Sequence, residues 1–337
     1  QVRVDHQFGD AVFTSITDYQ TSEKFYTEGG DSSPVEGVFF FQGSDIDQIS
    51  QEFRLSWSAG SHQMVAGLFY MDVSGDYTGK FADPFYGYDP DVAFSQDTTS
   101  YAAFIQDELS FSDQWKLIGG LRYWHDSREG AYFASAPEVP GLSPPVTIIF
   151  NKNEIFPNST DLTGVTVTPS DADATFDDFT ARVELDYRPS DAMLWYLSYN
   201  RGSKSGGFTF STGTPYGGTE VDFVNGIPFD PETLNAYEIG IKSNLAGGTT
   251  TLNVSAFYYD YQDYQAFSQI SQVQTVTNQD AEAQGLEIEL NAAPTDGLTL
   301  QLGASFMDSE VKDIRLPDQD TIVDHDLPQA PPFSANA

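Results

Sequence analysis

Catalytic or metal chemistry would need clustered histidines, a nucleophile motif or a phosphate-binding loop, and the sequence offers none of these. The four histidines lie far apart and lack the short spacings of a metal site: His6, His62, His125 and His325. The sequence contains neither a Gly-x-Ser-x-Gly elbow nor a phosphate-binding loop. We therefore expect no enzyme activity, no cofactor and no bound metal.

Two acidic patterns resemble functional sites but lack an essential part. The run at 171–178, Asp-Ala-Asp-Ala-Thr-Phe-Asp-Asp, has the carboxylates of a calcium loop without its central glycine or closing glutamate. We interpret it as a solvated acidic loop. Glu287 and Glu289 are two residues apart, which on a strand places both on one face. This spacing favours the polar face of a strand over a catalytic pair of carboxylates.

Two aromatic clusters could contact a ligand. One is Tyr258–Tyr264, which includes Tyr261 and Tyr264, and the other contains Tyr86 and Tyr88. Tyrosine combines a flat apolar ring with a hydroxyl, so these clusters could stack on a sugar or a catecholate ligand. The alternative is that the rings form a membrane-interface girdle and pack loops. On the first interpretation, all four tyrosines are candidate ligand-binding residues.

Charge and composition exclude several classes of function. The 337 residues include 50 acidic and 15 basic side chains, giving a net charge of −35, which opposes binding to nucleic acid. The absence of cysteine excludes disulfides and thiolate metal sites. No run approaches the roughly 18 apolar residues of a membrane-spanning helix. A barrel strand needs only one apolar face, however, and aromatic residues, 14% of this chain, supply the girdles of such barrels.

The elements that must position these residues are strands with alternating faces. In the stretch 193–200, one face is apolar and the other polar, with Met193, Trp195, Leu197 and Tyr199 set against Ser198 and Asn200. About twelve such strands follow one another, each about ten residues long. Short turns alternate with long polar connections, predicted at about 20–48, 74–97, 127–175 and 204–231. Charged residues lie opposite the apolar faces: Arg54, Arg122, Arg182, Glu184, Glu238, Lys242, Glu287 and Glu289.

This alternation fits either a soluble β-sandwich or a transmembrane β-barrel. Three features favour the barrel. The strand length matches that of a tilted membrane-crossing strand, the long connections all fall at one end, and aromatic residues gather at the strand ends. The predicted fold class is therefore all-β, an antiparallel transmembrane β-barrel.

Six segments, in this order and spacing, resemble the TonB-dependent receptors of the Gram-negative outer membrane, in particular the siderophore and ferrichrome type. They are Gln-Glu-Phe-Arg-Leu at 51–55, Gly-Leu-Arg-Tyr at 120–123, Tyr-Leu-Ser-Tyr-Asn-Arg-Gly-Ser-Lys-Ser-Gly-Gly-Phe at 196–208, Pro-Glu-Thr-Leu-Asn-Ala-Tyr-Glu-Ile-Gly-Ile-Lys-Ser at 231–243, Ala-Phe-Tyr-Tyr-Asp-Tyr at 256–261 and Gly-Leu-Glu-Ile-Glu at 285–289.

The resemblance implies a barrel of 22 strands whose lumen is filled by an N-terminal plug domain. Such receptors take up scarce ligands, often ferric siderophores, with energy from a TonB complex that contacts the plug segment. About half of those strands and no plug are found in residues 1–337, so we expect this chain to be part of the barrel domain of a longer receptor. Its expected surroundings are outer-membrane lipid and lipopolysaccharide.

The expected function is TonB-dependent uptake of a ferric siderophore. Uptake of a glycan or another nutrient is the alternative within the family, and a passive porin or a secreted β-sandwich binding protein is the alternative from other classes. Lys204 falls on the lumen side of its strand and is a candidate contact for an anionic ligand. Arg201 falls on the lipid side, where we expect it to meet lipid phosphate, and the glycines at 206–207 are expected to let the chain bend.

Overall fold

The computed structural model describes residues 1–29, 39–82, 91–135, 147–150, 159–162, 165–167, 173–208, 229–270, 273–315 and 322–337. Within these ranges the secondary structure is almost entirely strand. The strands are β1 Val2–Phe8, β2 Ala11–Gly29, β3 Phe39–Ala59, β4 His62–Ala82, β5 Asp91–Ser110, β6 Trp115–Ser135, β7 Thr147–Phe150, β8 Ser159–Leu162, β9 Val165–Val167, β10 Asp173–Ser190, β11 Met193–Lys204, β12 Glu232–Leu245, β13 Thr250–Ile270, β14 Val273–Thr295, β15 Leu298–Arg315, β16 Ile322–His325 and β17 Phe333–Asn336.

Fifteen of these strands form one antiparallel sheet. The order follows the chain from β1 to β6, continues with β10 to β15, and ends at β16; β7 adds to β6 and β17 adds to β15. The short strands β8 and β9 pair with each other. The twelve strands of the predicted up-and-down pattern are therefore confirmed, and each pairs with the next of these twelve along the chain. None of the described residues forms a helix long and apolar enough to cross a membrane.

The two faces of the sheet differ as the alternation predicts. On the outer face, large apolar side chains remain exposed, including Leu68 at 60%, Leu197 at 56% and Ile239 at 54%. The inner face carries polar groups that are buried, such as Asp186 and Ser198. A β-sandwich would cover the apolar face with a second sheet, whereas these long strands pack against their sheet neighbours within the described ranges. The outer face therefore suits lipid.

The strands are longer than predicted, and most of the predicted long connections are wrong in extent. For example, β3 has 21 residues and β13 has 21, against the ten predicted. The chain of 20–48 is mostly β2 and β3, and the apolar patch that includes Phe40 and Phe41 belongs to β3. A tilted strand needs only about 9–11 residues to cross a membrane. Beyond that length the outer face meets water, so the apolar signal ends while the strand pairing continues.

The same extension changes the interpretation of two other regions. Most of the acidic run at 171–178 lies in β10, which begins at Asp173, so these carboxylates are strand residues and not a loop. The stretch before Leu286, which the predicted strands did not include, contains the paired ends of β13 and β14. The connection at 204–231 was predicted correctly, since β11 ends at Lys204 and β12 begins at Glu232.

Candidate ligand site at the mouth of the barrel

The two ends of the sheet differ in their connections. Short turns join the strands at one end, and Gly9 and Gly60 adopt positive φ angles there, +59° and +61°. The longer connections, including 209–228, join them at the other end. In barrels of the bacterial outer membrane, the end with the longer connections faces the outside of the cell. We call the inner face of the sheet at this end the mouth.

Tyr261 and Tyr264 both face the mouth because β13 contains a bulge between them. Tyr261 pairs with Ala281 and Tyr264 pairs with Gln279, so three steps along β13 correspond to two steps along β14. This one-residue insertion cancels the alternation that would otherwise place the two rings on opposite faces. Their ring centroids are 5.7 Å apart and their planes meet at 74°. The structure thus brings together two of the residues predicted to bind ligand.

Glu232 lies beside this pair, and Lys204 lies across from Glu232 on the neighbouring strand. The two residues are direct partners in the β11–β12 ladder, at the last and first positions of their strands. The Lys204 side chain is exposed and makes no hydrogen bond or ion pair within the described part of the chain. Burial, and next the carboxylate of Glu232, raise the pKa of the Tyr264 phenol. That phenol therefore remains a hydrogen-bond donor at neutral pH. We name Lys204, Glu232, Tyr261 and Tyr264 the mouth cluster.

The glycines that follow Lys204 are required by close packing. A Cβ atom on Gly206 would lie 2.5 Å from the Phe176 ring, and one on Gly207 would lie 2.8 Å from an Arg128 nitrogen. Neither glycine has a positive φ angle. Gly207 also exchanges two backbone hydrogen bonds with Phe229, at 3.1 and 2.9 Å. The absence of side chains at both glycines allows the segment to pack against β6 and β10, and a bend at these glycines stays a prediction.

Arg201 has a protein partner, and its predicted contact with lipid phosphate stays a prediction. Its guanidinium lies 2.8 Å from the Asp178 carboxylate and stacks over the Phe179 ring, with the charge 4.2 Å from the ring centroid. It also donates to the backbone carbonyl of Phe179. The Arg201 charge is thus compensated within the sheet.

The inner wall below the mouth is lined by paired charges. The pairs on this face include Arg3–Asp5, Arg54–Glu52, Lys116–Glu108 and Arg182–Glu184, with nitrogen–oxygen distances of 2.9, 2.6, 2.9 and 2.7 Å. Because they are partly exposed, such pairs add little to stability. They make the wall hydrophilic, as suits a lumen filled by water or by a polar domain.

The remaining candidates stay apart. Tyr86 and Tyr88 lie outside the described residues. His62 contacts Asp107 at 2.7 Å on the outer face near a short turn, and no group of three or more potential metal ligands occurs among the residues that the structure describes. Glu289 accepts a hydrogen bond from Asn253 at 3.3 Å, which is consistent with a polar strand face.

Sequence reasoning missed Glu232 and the bulge. The position of Glu232 could have been predicted, because alternation counted back from Glu238 places Glu232 on the lumen face at the start of its strand. The bulge could not, because the hydrogen bonds around it join residues that are distant in sequence. Asn278 donates to the carbonyl of Asp263 inside the bulge, at 2.8 Å.

Comparison with known proteins agrees with this architecture. The family model described as TonB dependent receptor-like, beta-barrel, matches residues 1–337. The metal-pseudopaline receptor CntO of Pseudomonas aeruginosa is 21% identical over 268 residues, which are 74% of this chain and 32% of that protein. The chain thus spans about a third of the length of this relative.

Solved structures share the fold. The ferric yersiniabactin uptake receptor FyuA of Yersinia pestis superposes with a TM-score of 0.70 at 19% identity, covering 98% of this chain and 44% of that one. The copper transporter OprC superposes with a TM-score of 0.60 at 16% identity, covering 96% and 45%. At these identities the similarity establishes the fold alone. The family match covers the whole sequence, and the chain therefore belongs to the TonB-dependent receptors of the Gram-negative outer membrane, as a portion of their β-barrel domain.

Proposed function

We propose that the protein containing this chain takes up a scarce ligand by TonB-dependent transport, and that the ligand is a ferric siderophore. The observation that carries the proposal is the mouth cluster, in which a cation, Lys204, and two phenols, Tyr261 and Tyr264, share the inner face of a barrel of this family. Ferric siderophores offer anionic oxygen atoms and flat rings or chelate groups, which such side chains bind.

Transport also needs parts of the protein outside residues 1–337. A plug domain would fill the lumen against the paired charges of the wall, and its TonB-contacting segment would deliver the energy that displaces it. The outer face would contact lipid and lipopolysaccharide through its exposed apolar side chains. In this account, the chain supplies the wall and part of the external binding surface.

A second ligand class fits one feature of the same site. Two tyrosine rings beside the Glu232 carboxylate could also hold a sugar ring, with the rings stacking and the carboxylate accepting from hydroxyls. Similar proteins include a copper transporter and a metal-pseudopaline receptor. Complexes of metals other than iron are therefore alternative ligands. Lys204 favours an anionic ligand over a neutral glycan.

Growth of cells under iron limitation tests the proposal. The gene for the complete receptor is deleted, and the cells are supplied with ferrichrome, ferric enterobactin or ferric citrate as the only iron source. We expect the deletion to abolish growth on at least one chelate and plasmid-borne receptor to restore it. Unchanged growth on all three, together with lost growth on an oligosaccharide, would show that the ligand is a glycan.

A further inference from the structure

The bulge of β13 is held by two amide side chains that do not belong to the mouth cluster. Gln265 and Asn278 are direct partners in the β13–β14 ladder, one position beyond Tyr264 and Gln279. Alternation places both amides on the side of the sheet opposite the two phenols. They therefore influence the mouth without being positioned to contact a ligand there.

Asn278 satisfies three backbone groups around the bulge. Its amide nitrogen donates to the carbonyls of Asp263, at 2.8 Å, and Asp230, at 3.0 Å, and its oxygen accepts from the Asp230 N–H at 2.8 Å. Asp263 has a φ angle of +54°, which is unfavourable for a residue other than glycine. The hydrogen bond to its carbonyl helps to hold the strand in this conformation.

Gln265 ties the bulged strand to both segments that flank the 209–228 connection. Its amide nitrogen donates to the carbonyls of Ser205, at 3.0 Å, and Asp230, at 3.1 Å. Its backbone N–H donates to the carboxylate of Glu232, at 2.8 Å, and so orients this member of the mouth cluster. The two amides thus link β13 and β14 to the end of β11 and the approach to β12.

We propose that Asn278 and Gln265 are positioning residues that keep Tyr264 beside Tyr261, so that the two phenols contact the ligand as one pair. This inference rests on the proposed function, because the pair matters only if the mouth binds ligand. Without the bulge, Tyr264 would turn to the outer face while Tyr261 stayed inside. The amides therefore act on ligand binding through the direction of one side chain.

A ligand-free measurement tests the geometry. In the complete receptor, with any cysteine outside this chain replaced by serine, Tyr261→Cys and Tyr264→Cys are combined and labelled with pyrene maleimide. We expect strong excimer emission, because both labels project to one side. Asn278→Asp keeps the size and the acceptor of Asn278 but removes both donors, and it should reduce the ratio of excimer to monomer emission severalfold. An unchanged ratio in the Asn278→Asp background would overturn the proposal.

A binding measurement distinguishes an effect of Asn278 on the direction of Tyr264 from a general effect of Asn278 on the stability of the mouth. Ferrichrome, ferric enterobactin and ferric citrate are the probes, used with purified receptor that shows the heat-dependent gel shift of a folded barrel. Asn278→Asp and Tyr264→Ala should each weaken binding about fivefold to tenfold, and the double variant should be no weaker than Tyr264→Ala alone. Additive losses would contradict positioning. If the labelled receptor without Asn278→Asp gives strong excimer emission but the unlabelled wild-type receptor binds none of the chelates, the proposed function is contradicted and the geometry is not.

Discussion

Tyr261 and Tyr264 lie three residues apart on β13, yet both rings face the lumen, with centroids 5.7 Å apart. Regular alternation would place them on opposite sides of the sheet. The one-residue bulge between them adds a second phenol to the mouth, next to Lys204 and Glu232. Bulges often re-aim side chains at the rims of barrels, and this one defines the site proposed for ligand binding.

Tyr264 is expected to contribute mainly through its ring. Tyr264→Ala should weaken binding of the chelate that supports growth by about fivefold to tenfold, whereas Tyr264→Phe should cost about threefold, because only the hydroxyl is lost. Isothermal titration calorimetry on the complete receptor measures both. The matched control is Tyr237→Ala, since Tyr237 lies on the outer face and is 48% exposed. A loss as large in this control would contradict the assignment of the mouth.

Lys204 is expected to act through its charge. Lys204→Gln should weaken binding of an anionic chelate about threefold to tenfold at low salt, and the difference should shrink as salt screens the interaction. Lys312 provides the control, because its ammonium lies 3.0 Å from Glu282 and thus already has a carboxylate partner. If Lys204→Gln and Lys312→Gln have the same effect at every salt concentration, Lys204 has no special role.

Gly206 is expected to tolerate no side chain. Gly206→Ala places a methyl group against Phe176 and the carbonyl of Phe229, which should cost about 1–3 kcal/mol of stability. Gly119→Ala is the control, because a Cβ atom at Gly119 meets no atom within 4 Å. Thermal unfolding in detergent, followed by the gel shift, compares the two. Equal melting temperatures would show that the packing at Gly206 relaxes freely.

The contact between Arg201 and Asp178 is expected to be a coupled pair. Both side chains are largely covered, 18% and 16% exposed, so removal of one partner leaves a charge with poor hydration. Asp178→Asn and Arg201→Gln should each destabilise the barrel by about 1–2 kcal/mol, and the double variant should lose less than the sum. Urea unfolding of the four proteins gives the coupling. Strict additivity would show that the two charges are not coupled and would contradict the prediction.

Much of the barrel could be predicted because lipid imposes a simple rule on each strand. Leu197 and Ile239 mark an outer face, and the charges opposite them mark the lumen, so the twelve long strands and their short turns follow from alternation. The rule fails where lipid ends. In the part of β3 nearest the mouth, residues 39–48, apolar and polar residues do not alternate. Neither face meets lipid there, because both meet water or protein. The sequence of this part therefore resembles a loop.

The site was predictable only in part for a related reason. Lys204 was predicted on the lumen side from the alternation of its strand, and Tyr261 obeys the alternation of its own strand in the same way. Tyr264 faces the lumen because of the bulge, and the hydrogen bonds around the bulge include that of Asn278 with Asp230, which lies 48 residues earlier in the chain. Such long-range hydrogen bonds leave no periodic signal in the sequence.

Uptake of radioactive iron tests the central claim most directly. Cells that express the complete receptor, and otherwise identical cells without TonB, are given a ⁵⁵Fe-labelled chelate, and surface-bound and internal iron are measured separately. We predict that both strains bind the chelate and that only cells with TonB accumulate iron, while Tyr264→Ala lowers binding in both. Equal accumulation with and without TonB, or full binding by Tyr264→Ala together with Lys204→Gln, would contradict the account.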